Sequence, residues 1–180
     1  MTLKRCFPPV VDPNTRVLVL GSLPGEVSLT HNQYYAHKQN RFWVLVGDVI
    51  EKNLSMEYAD RLRTLLEHRI GLWDVVAEAR RTGSLDSNIR DHASNDLIAL
   101  IDTLPDLVAI AFNGGTAAKI GERILGERIR QYRILKLPSS SPAYAAVPYS
   151  TKLLAWRELR RWLFADGESG SVDSVSIRGL

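Results

Sequence analysis

The sequence predicts an α/β protein, a three-layer α/β/α sandwich around a central, mainly parallel four-stranded sheet. Two observations predict it. Runs rich in Val, Ile and Leu recur without clean alternation, as strands covered on both faces require. Amphipathic helical patterns lie between those runs, the order expected of a parallel sheet flanked by helices. The length of 180 residues and the 45% hydrophobic content suit one domain with a proper core, over residues 1–165.

In chain order, the first strand is expected at residues 16–20 (RVLVL). Helices follow at 42–52 and at 56–68, the second with Ser55 as its N-cap. A shorter strand is expected at 70–73. Leu97, Ile98, Ile101 and Leu104 form a helical stripe, with Ser94 or Asn95 before it and Pro105 after it. The third and fourth strands are LVAIAF (107–112) and ILKL (134–137), and helices are read at 116–125 and 151–164. From 166 to 180 the chain (DGESGSVDSVSIRGL) has too few apolar groups to offset ordering entropy and reads as a tail.

Composition excludes several classes. The single cysteine, Cys6, has no partner within the chain, and no Cys/His spacing points to zinc or an iron–sulfur cluster. No apolar run approaches the ~20 residues that span a bilayer. A soluble cytoplasmic protein without metal or cofactor, and monomeric, is expected. The net charge is +3, with Arg123, Arg128, Arg130, Arg133 and Lys136 grouped, and Arg157, Arg160 and Arg161 on a later segment. Such groups track a phosphate backbone or form a solvated face balanced by Glu122, Glu127 and Glu158.

Ligands of open parallel sheets bind beyond the carboxyl ends of the strands. Three unusual loops fall there: GSLPG (21–25), NGG (113–115) and LPSSSPAYA (137–145). The first continues into a long polar and aromatic loop, VSLTHNQYYAHKQNRFW, and loops of that length usually carry function. Gly21 and Gly25 let a ligand approach the main chain. Asn113 either pairs with a planar base edge or begins the Asn-Gly-Gly turn. Asn40 either acts in the site or caps the helix after it. Tyr34 and Tyr35 are core or stacking rings. Ser139, Ser140 and Ser141 suit phosphate oxygens, or cap a helix. Neither GxGxxG nor GxxxxGK[ST] occurs, and there is no GxSxG elbow, so dehydrogenase, nucleotidase and serine hydrolase are disfavoured.

Taken together, the motifs resemble the uracil-DNA glycosylase superfamily. GSLPG matches its first active-site motif, YYAHKQNRFW resembles the segment of the mismatch-specific enzymes, and LPSSSPA takes the place of the motif after the last strand. With GLWDV and GSLDSNI added, the pattern is most similar to the hypoxanthine-DNA (deoxyinosine) glycosylase branch. The resemblance spans residues 16–162. It departs where many members place Asp or Asn in the first motif, here Leu23, and where the best-known uracil enzymes have a histidine, here Leu137.

The resemblance implies a monofunctional enzyme that extrudes a deaminated base, chiefly hypoxanthine, from DNA and hydrolyses its N-glycosidic bond. Asn40 is then the catalytic residue, holding a water near the anomeric carbon. Gly21, Ser22, Leu23, Tyr35 and Asn113 bind the base, with Tyr35 stacking on it, and Ser139, Ser140 and Ser141 hold DNA phosphates. Tyr144 is a candidate wedge. His37 holds the loop by hydrogen bonds, and Asp86 has a cap or turn role. A uracil-directed or broad glycosylase and a non-catalytic DNA-binding module are the alternatives.

Overall fold

The computed structural model describes residues 2–164, so the tail read at 166–180 lies outside the described residues. The chain runs through β1 (Thr2–Arg5), β2 (Val17–Gly21), α1 (Glu26–His31), α2 (Phe42–Ile50), α3 (Tyr58–Glu67), β3 (Ile70–Asp74), β4 (Val76–Arg81) and β5 (Arg90–Ser94). It continues through α4 (Leu97–Ile101), β6 (Ala109–Asn113), α5 (Gly115–Leu125), β7 (Arg133–Leu137), α6 (Tyr149–Trp156) and α7 (Arg160–Leu163).

The four expected strands form one sheet in the order β3-β2-β6-β7, every pair parallel. All five residues of β2 and of β6 are buried, which explains the missing alternation. Val17 and Val19 face one layer, with Phe42, Leu45 and Val46 of α2, Leu65 of α3 and Trp156 of α6. Leu18 and Leu20 face the other, with Leu97 and Ile101 of α4 and Ala117, Ala118 and Leu125 of α5. Each fully buried Val or Leu contributes about 1.5–3 kcal/mol, so the sheet is clamped from both sides.

A second sheet was not expected. β1, β4 and β5 form an antiparallel sheet in the order β1-β4-β5. Its strands are short and charged: β5 (RDHAS) is exposed throughout, and β4 (VAEARR) buries only Val76, Ala79 and Arg81. Such segments give no apolar run to read. Helix caps also differ in detail. Asp96, not Ser94 or Asn95, caps α4 by accepting from the Ala99 N–H at 3.0 Å. Ser55 lies two residues before the α3 cap, Glu57, and accepts its N–H at 3.0 Å. The last helical stretch is divided by a 3-10 turn at Arg157–Leu159.

From β2 the chain moves to β3 on one side and later to β6 on the other, which makes the β2/β6 boundary the switch point of the sheet. Gly21, Asp74, Asn113 and Leu137 end the four strands on this rim.

Candidate active site

A cleft of about 540 Å³ opens at the switch point. It is lined by the 21–25 loop, Tyr35, His37, Asn40, Asp74, the 84–87 turn, the 113–116 turn and the 139–144 loop. Its size falls within the ~300–1,000 Å³ typical of small-molecule sites. All the residues expected to act on base or phosphate line it: Gly21, Ser22, Leu23, Tyr35, Asn40, Asn113, Ser139, Ser140 and Ser141.

The long loop is tied down at many points. Ser28 Oγ accepts the Ala36 N–H at 3.1 Å, Trp43 Nε1 donates to the Tyr34 carbonyl at 3.1 Å, and Tyr34 OH donates to the Pro8 carbonyl at 3.0 Å. Tyr35 sits at φ 54°, a left-handed conformation costly for a bulky residue. Its ring stacks on Phe42 with centroids 3.9 Å apart and planes at 17°, and its hydroxyl accepts from Asn113 Nδ2 at 3.1 Å. Burial holds both Tyr34 and Tyr35 well above the usual phenol range, so they are neutral. His37 Nδ1 accepts the Gln39 N–H at 3.2 Å.

Asn40 precedes α2, and its Oδ1 accepts the Phe42 N–H at 2.9 Å. That bond fixes the carboxamide while leaving Oδ1 a second lone pair, and Nδ2 makes no hydrogen bond among the described residues. Asn40 is not the helix cap, which is Arg41; it lies one residue earlier, holds the Phe42 N–H and lines the cleft.

Asn113 is engaged more fully. Nδ2 donates to Tyr35 OH and, at 2.9 Å, to Ser140 Oγ, while Oδ1 accepts the Ser140 N–H at 2.9 Å. Its two donor hydrogens are committed within the protein, and Oδ1 keeps a second lone pair. Ser139 Oγ accepts the Ser141 N–H at 3.1 Å, and Ser141 Oγ accepts the Ala143 N–H at 3.2 Å. The Ser140, Ser141 and Ala143 amides are thus spent within the protein, and the hydroxyl hydrogens of Ser139 and Ser141 make no bond among the described residues.

Asp74 and Arg81 had no role assigned from the sequence, and Asp86 only a cap or turn role. Asp74, at the end of β3, is 3% exposed, and its buried Oδ2 has no hydrogen-bond partner among the described residues. Burial, then the nearby Asp86 carboxylate, push its pKa up to about 7, against the opposing charge of Arg81. A Cβ on Gly21 would lie 2.6 Å from Asp74 Oδ1 and 2.9 Å from Tyr35 OH, so only glycine admits both groups. Asp86 lies in a 3-10 turn between β4 and β5, and its Oδ1 accepts from Ser22 Oγ at 2.6 Å. Burial raises its pKa, and the Ser22 bond opposes that. Arg81, fully buried on β4, donates to the carbonyls of Gly83 at 2.9 Å, Leu23 at 3.3 Å and Pro24. GSLDSNI therefore closes one side of the cleft, and the unexpected sheet supports the first loop. An apolar strand ending in Asp was the signal available for Asp74.

Of the basic residues grouped in the sequence, Arg123, Arg133 and Arg157 form no ion pair among the described residues. Arg128, Arg130, Lys136, Arg160 and Arg161 each pair with a carboxylate, of Asp102, Glu127, Glu122, Glu51 and Glu158 respectively. Arg41 and Lys152 pair with none among the described residues, although Lys152 is only 3% exposed. Lys152 Nζ lies 5.7 Å from the centroid of the Tyr144 ring at the cleft, and Arg41 lies 6.0 Å over the ring of Tyr149. Burial, then the charge of Arg41, lower the Lys152 pKa. Two uncompensated cations close enough to feel each other are an arrangement that an anion relieves.

Fold and cleft together define an α/β protein with a candidate ligand site at the switch point of its parallel sheet, walled by an aromatic loop and with unpaired cations nearby. The chain belongs to the uracil DNA glycosylase superfamily, whose family model matches residues 8–160. It is 44% identical over 141 residues to a hypoxanthine DNA glycosylase of Methanosarcina barkeri, covering 78% of this chain and 87% of that protein. It is 45% identical over 142 residues to a hypoxanthine DNA glycosylase of Methanosarcina acetivorans, covering 78% and 88%. A solution NMR structure of a candidate uracil DNA glycosylase from Methanosarcina acetivorans superposes with a TM-score of 0.79 at 42% identity, covering 90% of this chain and 99% of that one.

Proposed function

We propose that the protein is a monofunctional DNA glycosylase that releases hypoxanthine from DNA by hydrolysing the N-glycosidic bond, with Asn40 holding the attacking water. The observation that carries this reading is the 44–45% identity to two hypoxanthine DNA glycosylases over most of the chain. The cleft supports it. The face of Tyr35 not covered by Phe42 offers a stacking surface for an extruded base. Gly21, Ser22 and Leu23 bring main chain to the base edge, and Oδ1 of Asn113 accepts from a lactam N1–H such as that of hypoxanthine. No lysine lines the cleft among the described residues, which suits direct attack by water over a Schiff base.

The DNA partner is read from the unpaired cations. Arg41 and Lys152, with the hydroxyls of Ser139 and Ser141, hold backbone phosphates beside the extruded nucleotide, and Tyr144 fills the gap left in the stack. Arg41→Gln and Lys152→Gln are each expected to lower the slope of log affinity against log salt by about 1, the effect of one lost phosphate contact. Fluorescence anisotropy over a salt series measures this; unchanged slopes would remove these residues from the interface. No helix among the described residues is long and apolar enough to cross a membrane. A cytoplasmic monomer acting at the nucleoid completes the proposal.

The test is base release from duplexes carrying one deoxyinosine, deoxyuridine or deoxyxanthosine, followed by alkaline cleavage of the abasic site. Release of hypoxanthine ahead of uracil is the expected result. Release mainly of uracil would overturn the substrate assignment, and DNA binding without release of any base would overturn the enzymatic reading.

A further inference from the structure

The proposed water site and phosphate contacts leave one group of the cleft unused. Asp74 is buried in the cleft wall at the end of β3, and its Oδ2 has no partner among the described residues. This is not for want of donors nearby. Arg81 directs three of its N–H groups to the carbonyls of Gly83, Leu23 and Pro24. Ser22 Oγ donates to Asp86, and Tyr35 OH, which accepts from Asn113 and keeps its own hydrogen, makes no bond to Asp74 Oδ2. The charged and titratable groups that act on Asp74, or that it acts on, come from every side: Asp86 from the 84–87 turn, Arg81 from β4, Tyr34 and Tyr35 from the long loop, and Cys6 after β1. An unpaired buried carboxylate costs several kcal/mol, so such a group keeps its proton or meets a ligand that takes it. Gly21 keeps the carboxyl within reach of a ligand, because any side chain there would collide with Asp74 Oδ1.

We propose that Asp74 is a catalytic acid of this site, donating its carboxyl proton to N7 of an extruded purine as the glycosidic bond breaks. The inference rests on the glycosylase reading above and specifies its substrate class as purines. The C1′–N9 bond breaks, its electron pair passes into the imidazole ring, and the Asp74 proton moves to N7, so that the base departs neutral. Water adds to C1′ through its oxygen and releases one proton, which returns to the Asp74 carboxylate by way of solvent. The sum is hydrolysis, with the acid restored. A pyrimidine has no N7 and gains nothing from this proton. The pKa of about 7 suits the role, since an acid is most effective when its pKa lies near the working pH.

Single-turnover release is measured from duplexes containing deoxyinosine or 7-deaza-deoxyinosine, which lacks only N7. The wild-type protein is expected to favour deoxyinosine by about 10²-fold or more, the usual contribution of a general acid. In Asp74→Asn, deoxyinosine release falls by a similar factor and the preference shrinks at least ~10-fold, because an amide donates a hydrogen bond but no proton. The wild-type rate declines as pH rises through about 7, and the Asp74→Asn rate stays level there. An unchanged preference in Asp74→Asn, or the same alkaline decline, overturns the assignment. Equal wild-type rates on the two substrates overturn it with no variant at all. If the wild-type protein releases no hypoxanthine, the function itself fails, a result distinct from either of these.

Discussion

Asn40→Ala is expected to reduce hypoxanthine release by about 10²-fold or more, the penalty of losing the group that positions a reactant. The carboxamide is held from one side only: Oδ1 accepts the Phe42 N–H, and the rest of the group meets the cleft. In the proposed mechanism a water bound there has a fixed acceptor for one of its hydrogens, and its oxygen faces the anomeric carbon as positive charge grows on the sugar. Alanine removes that acceptor along with the helix-start bond. Loss of the bond by itself destabilises the protein by about 0.5–2 kcal/mol, so rates are compared at a temperature where circular dichroism shows both proteins folded. Asn40→Asp keeps the acceptor and the Phe42 bond and separates the two effects, retaining more activity than Asn40→Ala. Rates within about twofold of wild type in Asn40→Ala would remove Asn40 from the chemistry, since a positioning group is worth far more.

The parallel sheet was legible because burial on both faces writes Val, Ile and Leu into consecutive positions, as in β2 and β6. The rim was legible because strand ends carrying Gly, Asn and Ser-Pro loops have no packing reason to be so unusual. What the sequence did not reveal is long-range pairing of polar groups. β1, β4 and β5 depend on each other for their hydrogen bonds, and Leu3, Arg80 and Asp91 carry no periodicity that announces a sheet. Asp86 looked like a turn residue, which it is; its bond to Ser22 joins residues 64 apart, and no local pattern encodes that. Asp74 was hidden differently. An acid closing an apolar strand reads as the exposed start of a loop, and only the fold places it behind Gly21 with no partner for Oδ2.

Removing Arg81 tests whether that second sheet matters to the site. The guanidinium is fully buried and serves the carbonyls of Leu23 and Pro24, the middle of the GSLPG loop, together with that of Gly83 at the hairpin. Its charge also offsets the buried carboxyls of Asp74 and Asp86. Arg81→Met keeps much of the apolar stem but leaves these carbonyls unpaired. The expected loss is about 3–5 kcal/mol, as for breaking a buried charge network by removing one partner. Urea unfolding at neutral pH measures it. With Arg81 gone, nothing opposes the mutual repulsion of Asp74 and Asp86, so the variant binds protons more tightly in the folded state. Its deficit is therefore smaller at mildly acidic pH, where Asp74 is protonated, and grows as pH rises and that carboxyl must ionise in a buried site. Arg81→Lys restores a charge without the fork of donors and falls between the two. Wild-type stability in Arg81→Met would mean that the first loop holds its shape without its bonds to β4.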